Sequence, residues 1–239
     1  MNNQRSVTPG GILFDLDDTI VAFGLVSGPV LQEVCSAYAG ETGVECQKLL
    51  DSLMDASRWY WGDKERHRIG RNNQKQARRK IVEEAFKSLN ITDSELGERL
   101  ADEYSAKRLS AMYLFPGAID TLKHFKSKGV KMALVTNGEA GLQRDKIKRF
   151  GLESYFDTIL IEGELGFGKP LEGIYNLALE RLGEEASNCW MVGDNLEWEV
   201  EVPSRLGFYT VWNDVRGKGL PAGSTIAPHR IVRSIAELM

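Results

Sequence analysis

Gly11-Ile12-Leu13-Phe14 is a short apolar run that opens on glycine and is followed at once by Asp15-Leu16-Asp17-Asp18-Thr19. Four apolar residues are too few for a buried helix. They suit a strand of a parallel sheet, covered on both faces and therefore hydrophobic without alternation. Three carboxylates crowded where such a strand ends repel one another and lose hydration. An acidic turn accounts for one of them; three with a threonine behind them point to a cation or a proton-transfer task.

The rest of the chain falls into two kinds of pattern. From Val21 to Lys107 the periodicity is helical, with segments opening at Pro29, running Lys48–Met54 and running Gln74–Leu89 before a stop at Asn90, and no strand is predicted there. From Leu109, past the Pro116-Gly117 break, strands alternate with helices. The predicted strands are Val130–Val135, Phe156–Ile161, Cys189–Val192, Phe208–Trp212 and His229–Val232; the helices are Leu142–Phe150, Leu171–Leu182 and Ser234–Leu238. Alternation of this kind predicts an α/β fold with a doubly wound parallel sheet. The first strand must join that sheet, so residues 1–20 and 109–239 are read as the core domain and 21–108 as a helical insert. The insert leaves from the sheet's carboxyl edge, where such folds bind ligands, and is read as a lid.

With 239 residues, 42% of them hydrophobic, the chain can fill a real core. A net charge of −4 and a pI near 5.6 argue against a nucleic-acid partner. The polar start Met1–Ser6 and the lack of any apolar stretch near the ~18 residues of a membrane span predict a cytoplasmic protein without a membrane partner. Cys35, Cys46 and Cys189 form no CxxC pair and are read as free thiols in a reducing compartment. The expected assembly is a monomer or homodimer.

Three further strand ends carry polar chemistry. Thr136-Asn137-Gly138 offers a hydroxyl, an amide and flexible backbone to phosphate oxygens, or forms a plain strand-to-helix turn. Lys169 lies between Gly168 and Pro170, the proline suited to a first helical position that aims the amine at the sheet edge. Gly163–Lys169 also fits the GxxxxGK of a P-loop, but Pro170 stands where a hydroxyl belongs and Glu162 and Glu164 would repel a triphosphate. Asp194, in Gly193-Asp194-Asn195, either caps a helix or joins Asp15 as the carboxylate pair that a hard divalent cation takes.

Asp15-Leu16-Asp17-Asp18-Thr19 resembles the first motif, DxDxT, of the haloacid dehalogenase-like (HAD) hydrolases, most of which are magnesium-dependent phosphatases. Thr136-Asn137-Gly138, Lys169 and Gly193-Asp194-Asn195 resemble the second, third and fourth motifs, in order, and the helical insert stands where the family carries a C1 cap. The resemblance implies a Rossmann-like core, Mg²⁺, and a small phosphorylated metabolite as substrate. It implies Asp15 as the nucleophile that forms an aspartyl-phosphate, Asp17 as general acid and base, and Lys169 as the charge offset. Thr136, Asn137 and Gly138 would bind substrate, while Asp15, Asp194 and the Asp17 carbonyl would hold the metal, with Glu199 and Asn195 around them. An acid at Asp17 favours a phosphatase over the dehalogenases, which lack it, and the chain is similar to the acylneuraminate and nucleotide phosphatases. Two departures stand out. Glu199 replaces the usual Asp, and Val202-Pro203 replaces a small Gly-Ala pair, so the helix start is expected to shift around Pro203. A receiver-like phosphoacceptor is an alternative, but it is shorter and lacks the cap. A non-catalytic HAD-fold binding protein is another, and intact Asp15, Asp17, Lys169 and Asp194 count against it. Asp18 reads as a turn acid. Trp59–Arg68 with Arg71, Lys75, Arg78 and Arg79 reads as an aromatic core contact plus a solvated basic face rather than as an anion-binding surface.

Overall fold

A computed structural model describes residues 8–239. The polar start Met1–Ser6, on which the expectation of a cytoplasmic protein partly rests, lies outside the described residues. In chain order come β1 (Gly11–Phe14), β2 (Val21–Ala22) and five helices, α1 (Ser27–Thr42), α2 (Cys46–Trp61), α3 (Lys64–Arg71), α4 (Gln74–Ser88) and α5 (Ser94–Ala111). Then follow β3 (Tyr113–Leu114), α6 (Ala118–Ser127), β4 (Lys131–Thr136), α7 (Ala140–Arg149), β5 (Thr158–Ile161), α8 (Glu162–Leu165) and α9 (Glu172–Leu182). The chain closes with β6 (Cys189–Gly193), a π-helical turn over Leu196–Glu201, α10 (Val202–Leu206), β7 (Tyr209–Asn213), β8 (Arg230–Val232) and a 3₁₀ turn over Ile235–Leu238.

These elements form two compact units, one comprising the chain through Ala22 and again from Leu114, the other Phe23–Tyr113. In the first, a six-stranded sheet has the order β5-β4-β1-β6-β7-β8, and every pair is parallel. Phe14 at the end of β1 stands opposite Leu134 of β4 and Val192 of β6. Strand order reverses on the two sides of β1, which makes its carboxyl end the topological switch point where such sheets bind ligands. The all-buried β1 fits the unbroken apolar run in the sequence. Leu13, Val135, Leu160, Met191 and Phe208 pack with Ile174, Tyr175 and Ala178 of α9 into one core, each large side chain contributing about 1.5–3 kcal/mol of burial. This core fixes the strand ends relative to one another.

The second unit buries Leu49 and Leu53 of α2, Ile81 and Phe86 of α4, and Leu96 and Leu100 of α5 in a separate core. Side chains of Asp63 and Asp93 cap α3 and α5 by accepting from the backbone N–H of Arg66 and Leu96. Neither was among the segments singled out in the helical stretch; α3 is almost wholly polar, and Leu96 and Leu100 mark the buried face of α5. Helix α5 runs to Ala111, past the boundary at 108 read from the sequence. Within the stretch expected to hold no strand, Val21–Ala22 is a two-residue one. The basic segment is also less uniform than a solvated face. Tyr60 lies in the core, Arg79 bridges Glu98 and Asp102, and Arg78 is buried beside the Tyr104 ring and donates to Gln74. Cys35 and Cys189 are buried and Cys46 half-buried, all three free. Among the described residues no helix is long and apolar enough to cross a membrane.

Candidate active site

The sheet positions the first acid directly. Asp15 continues the ladder beyond β1, its N–H donating to Val192 O at 2.9 Å, and its carboxylate is buried at the switch point. Lys169 Nζ donates to Asp15 Oδ1 at 2.6 Å and to Glu199 Oε1 at 2.7 Å. The whole lysine is buried. Asn137 clasps its backbone, accepting from Lys169 N at 2.8 Å and donating to Lys169 O at 2.6 Å. Gly168 makes that clasp possible, since a Cβ there would stand 2.3 Å from Asn137 Oδ1. Pro170 is not the first helical residue: the Lys169–Pro170 bond is cis and α9 opens at Glu172. The P-loop alternative fails, because Glu162–Leu165 is a helix rather than a phosphate-cradling loop.

Glu199 reaches Lys169 from a distorted helix start. Its second oxygen accepts from Asn195 N at 2.7 Å, and Asn195 Oδ1 in turn accepts from Glu197 N at 3.0 Å and Trp198 N at 3.1 Å. Asn195 therefore caps the turn that carries Glu199. Val202 N–H donates to Glu197 O, the i to i+5 spacing of a π turn. The same spacing would pair Trp198 O with residue 203, but Pro203 has no N–H, and the Tyr175 hydroxyl donates to that carbonyl instead at 2.5 Å. This is the shift expected from Pro203. Gly193 leaves the room it needs, as a Cβ there would lie 2.1 Å from Glu199 Cγ.

Asp17 belongs to a second cluster. Lys146 Nζ donates to both of its carboxylate oxygens at 2.7 Å, and Gln143 Nε2 donates to Oδ2 at 3.2 Å. Gln143 also donates to the Thr136 hydroxyl and to Asn137 O at 3.1 Å. No motif flags Gln143 or Lys146. The available signal was positional, because they share the buried face of α7 with Ile147, where apolar residues are the rule. The Gly138 N–H, expected to face substrate, donates to the buried Glu162 at 3.1 Å. Asp18 is a turn acid at φ 58°, its carbonyl accepting from Asn213 at 3.0 Å and its carboxylate from Arg216 at 3.4 Å.

Asp194 is half-buried at the end of β6, and its backbone carbonyl accepts from Trp212 Nε1 at 2.8 Å. Burial, with the charges of Asp15, Glu199 and Asp18, pushes its carboxyl well above the usual range. Burial likewise raises Asp15 against the pull of Lys169, and it pushes Glu199 up to about 7. Burial alone would lower Lys169, but Asp15 and Glu199 outweigh it and hold the ammonium above its ordinary value. Asp15 and Glu199 thus share one buried ammonium, and Asp194 adds a third acid to their field. Among the described residues no group of three or more His, Cys, Asp or Glu side chains is gathered to cage a metal. Mg²⁺ does not need one: it takes one or two carboxylates and completes its shell with water and substrate oxygens. The Asp15 and Asp194 pair fits that donor set.

A doubly wound parallel sheet thus carries an acid-rich, lysine-centred site at its switch point. The chain belongs to the haloacid dehalogenase-like hydrolases, whose family model matches residues 10–207. It is 31% identical over 205 residues to a ribulose-1,5-bisphosphate 5-phosphatase of Halopiger xanaduensis, covering 85% of this chain and 84% of that one. A pyrimidine 5'-nucleotidase of Escherichia coli is 28% identical over 95% of both chains, and an N-acylneuraminate-9-phosphatase of Rattus norvegicus is 38% identical over 46% of this chain and 45% of its own. Among solved structures, a 2-haloacid dehalogenase from Pseudomonas syringae superposes with a TM-score of 0.61 at 23% identity over 95% of each chain. A HAD phosphatase from Thermococcus onnurineus gives 0.60 at 23%, also over 95% of each. These structural likenesses establish the fold.

Proposed function

We propose that this chain is a cytoplasmic, Mg²⁺-dependent phosphomonoesterase that hydrolyses a small phosphorylated metabolite through an aspartyl-phosphate on Asp15, with Phe23–Tyr113 as its C1 cap. The observation that carries the reading is Lys169 Nζ at 2.6 Å from Asp15 Oδ1. A buried carboxylate paired with a buried ammonium at a switch point is a nucleophile in waiting, and the relatives named above are phosphatases or a nucleotidase.

Phosphoryl transfer leaves a protein mainly positioning and charge compensation to perform. In the first half-reaction an Asp15 oxygen bonds phosphorus, the bond from phosphorus to the ester oxygen breaks, and that oxygen takes a proton from Asp17. In the second, a water oxygen bonds phosphorus, Asp17 takes the proton that the water gives up, and the bond to Asp15 breaks. Lys169 offsets charge beside the transferring group, while the Thr136 hydroxyl and the turn through Asn137 line the approach of its oxygens. A Mg²⁺ held by Asp15, Asp194 and the Asp17 carbonyl supplies charge neutralisation when bound.

The test is hydrolysis of p-nitrophenyl phosphate with Mg²⁺ and with EDTA, for wild type and Asp15→Asn. Turnover is expected with Mg²⁺ in the wild type alone. Turnover undiminished by EDTA sinks the metal, and appreciable rate in Asp15→Asn, with its melting temperature unchanged, places the nucleophile elsewhere.

A further inference from the structure

We infer that Gln143 and Lys146 of α7 are positioning residues for Asp17, fixing its carboxylate so that Oδ1 is the oxygen that exchanges the proton with the substrate. The inference rests on the phosphomonoesterase reading, in which Asp17 handles that proton.

A carboxylate on a short side chain swings about two torsions, and proton transfer needs one of its oxygens within hydrogen-bond reach of the reacting atom. Here both oxygens are gripped by a single ammonium at 2.7 Å. Each oxygen has about two lone-pair sites. Oδ2 accepts from Lys146 and shares the Gln143 amide with Thr136 and Asn137, whereas among the described residues Oδ1 accepts from Lys146 and not from Gln143. One direction at Oδ1 therefore stays open. Lysine is ordinarily a hydrated, mobile cation, but the Lys146 side chain is 0% accessible while that of Asp17 is 27% accessible. The grip comes from the interior and leaves the acid's accessible side to what binds there. The same Gln143 amide donates to Thr136 and to Asn137 O, so the turn that lines the phosphate approach and the acid that handles the proton are referenced to one side chain.

The atoms and protons balance as in the two half-reactions above; only the aim of Asp17 is at issue. An alkyl ester needs its leaving oxygen protonated, whereas p-nitrophenolate leaves as an anion. In Lys146→Met, kcat/KM for β-glycerol phosphate should fall at least about tenfold further than for p-nitrophenyl phosphate, a part of the ~100- to 10,000-fold that positioned proton transfer contributes. Its kcat should fall for both esters, with a burst of p-nitrophenolate as the aspartyl-phosphate accumulates. Equal losses of kcat/KM on the two esters, or none, overturn the inference and make the pair a structural contact. Asp17→Asn is the control, expected to discriminate between the esters more strongly still. If it does not, the role given to Asp17 fails and the positioning inference fails with it; if it does and Lys146→Met does not, only the inference falls. Should Lys146→Met not fold, Gln143→Met, which removes the second donor, is judged by the same comparison.

Discussion

Glu199 is one methylene longer than the acid that the family pattern places there, and both of its oxygens are in use. One meets Lys169 and the other the Asn195 N–H, each at 2.7 Å. Glu199→Asp draws the carboxylate back by about 1.5 Å, one carbon–carbon bond, so it cannot keep both. Glu199→Gln keeps the reach but removes the charge and sets an amide against the Lys169 ammonium. Loss of a group that orients metal ligands typically costs ~10–100-fold in affinity. Mg²⁺ titrations by calorimetry should therefore rank wild type above Glu199→Asp, that above Glu199→Gln, and Asp194→Ala last. An aspartate variant that binds as tightly as wild type shows that the π turn serves no purpose at the metal.

The π turn belongs to the scale of the element, and its stability hangs on a hydroxyl from another helix. Removing the Tyr175 hydroxyl takes a donor from the half-buried Trp198 carbonyl, a change that costs about 0.5–1.5 kcal/mol. Pro203→Ala provides an N–H at the i+5 position. In that background the cost of Tyr175→Phe should shrink, and urea denaturation of the two single variants and the double variant should give a coupling of about 0.5–3 kcal/mol. Strict additivity would break the link between the two residues. Elements differ in how far they were legible. β1, β4 and β6 could be read because a parallel sheet buries both faces, so each strand is an apolar run ending in polar chemistry. The π turn could not, since nothing periodic announces an i+5 bond, although Pro203 marked the place. Asp15, Lys169 and Glu199 were legible from the family motifs they resemble, and Lys169 contacts both acids. Gln143 and Lys146 were not, because long polar side chains on a helix read as surface unless the buried face is already known.

For the molecule as a whole, crowding acids around one lysine ties stability to pH. Glu199 titrates near 4.5 when unfolded and about 7 when folded, and Asp15 and Asp194 move in the same direction. Between those values the folded chain keeps protons that the unfolded chain has released, so stability falls as pH rises from about 4.5 to about 7. The melting temperature in EDTA should drop between pH 5 and pH 8, and Mg²⁺ should remove the drop by meeting the ionised acids. A melting temperature in EDTA that stays flat or climbs over that range contradicts the charge balance described for the site. The place of β1 carries a consequence of another kind. It is the first strand of the sheet to leave the ribosome, yet its two neighbours are β4 and β6, and Asp15 meets a lysine 154 positions further on. Contacts so distant in sequence form late and slowly. A nascent chain therefore carries Asp15 without its ammonium partner until Lys169 has emerged, and without a finished switch point until residue 192 follows, so the candidate site is among the last parts of the molecule to exist.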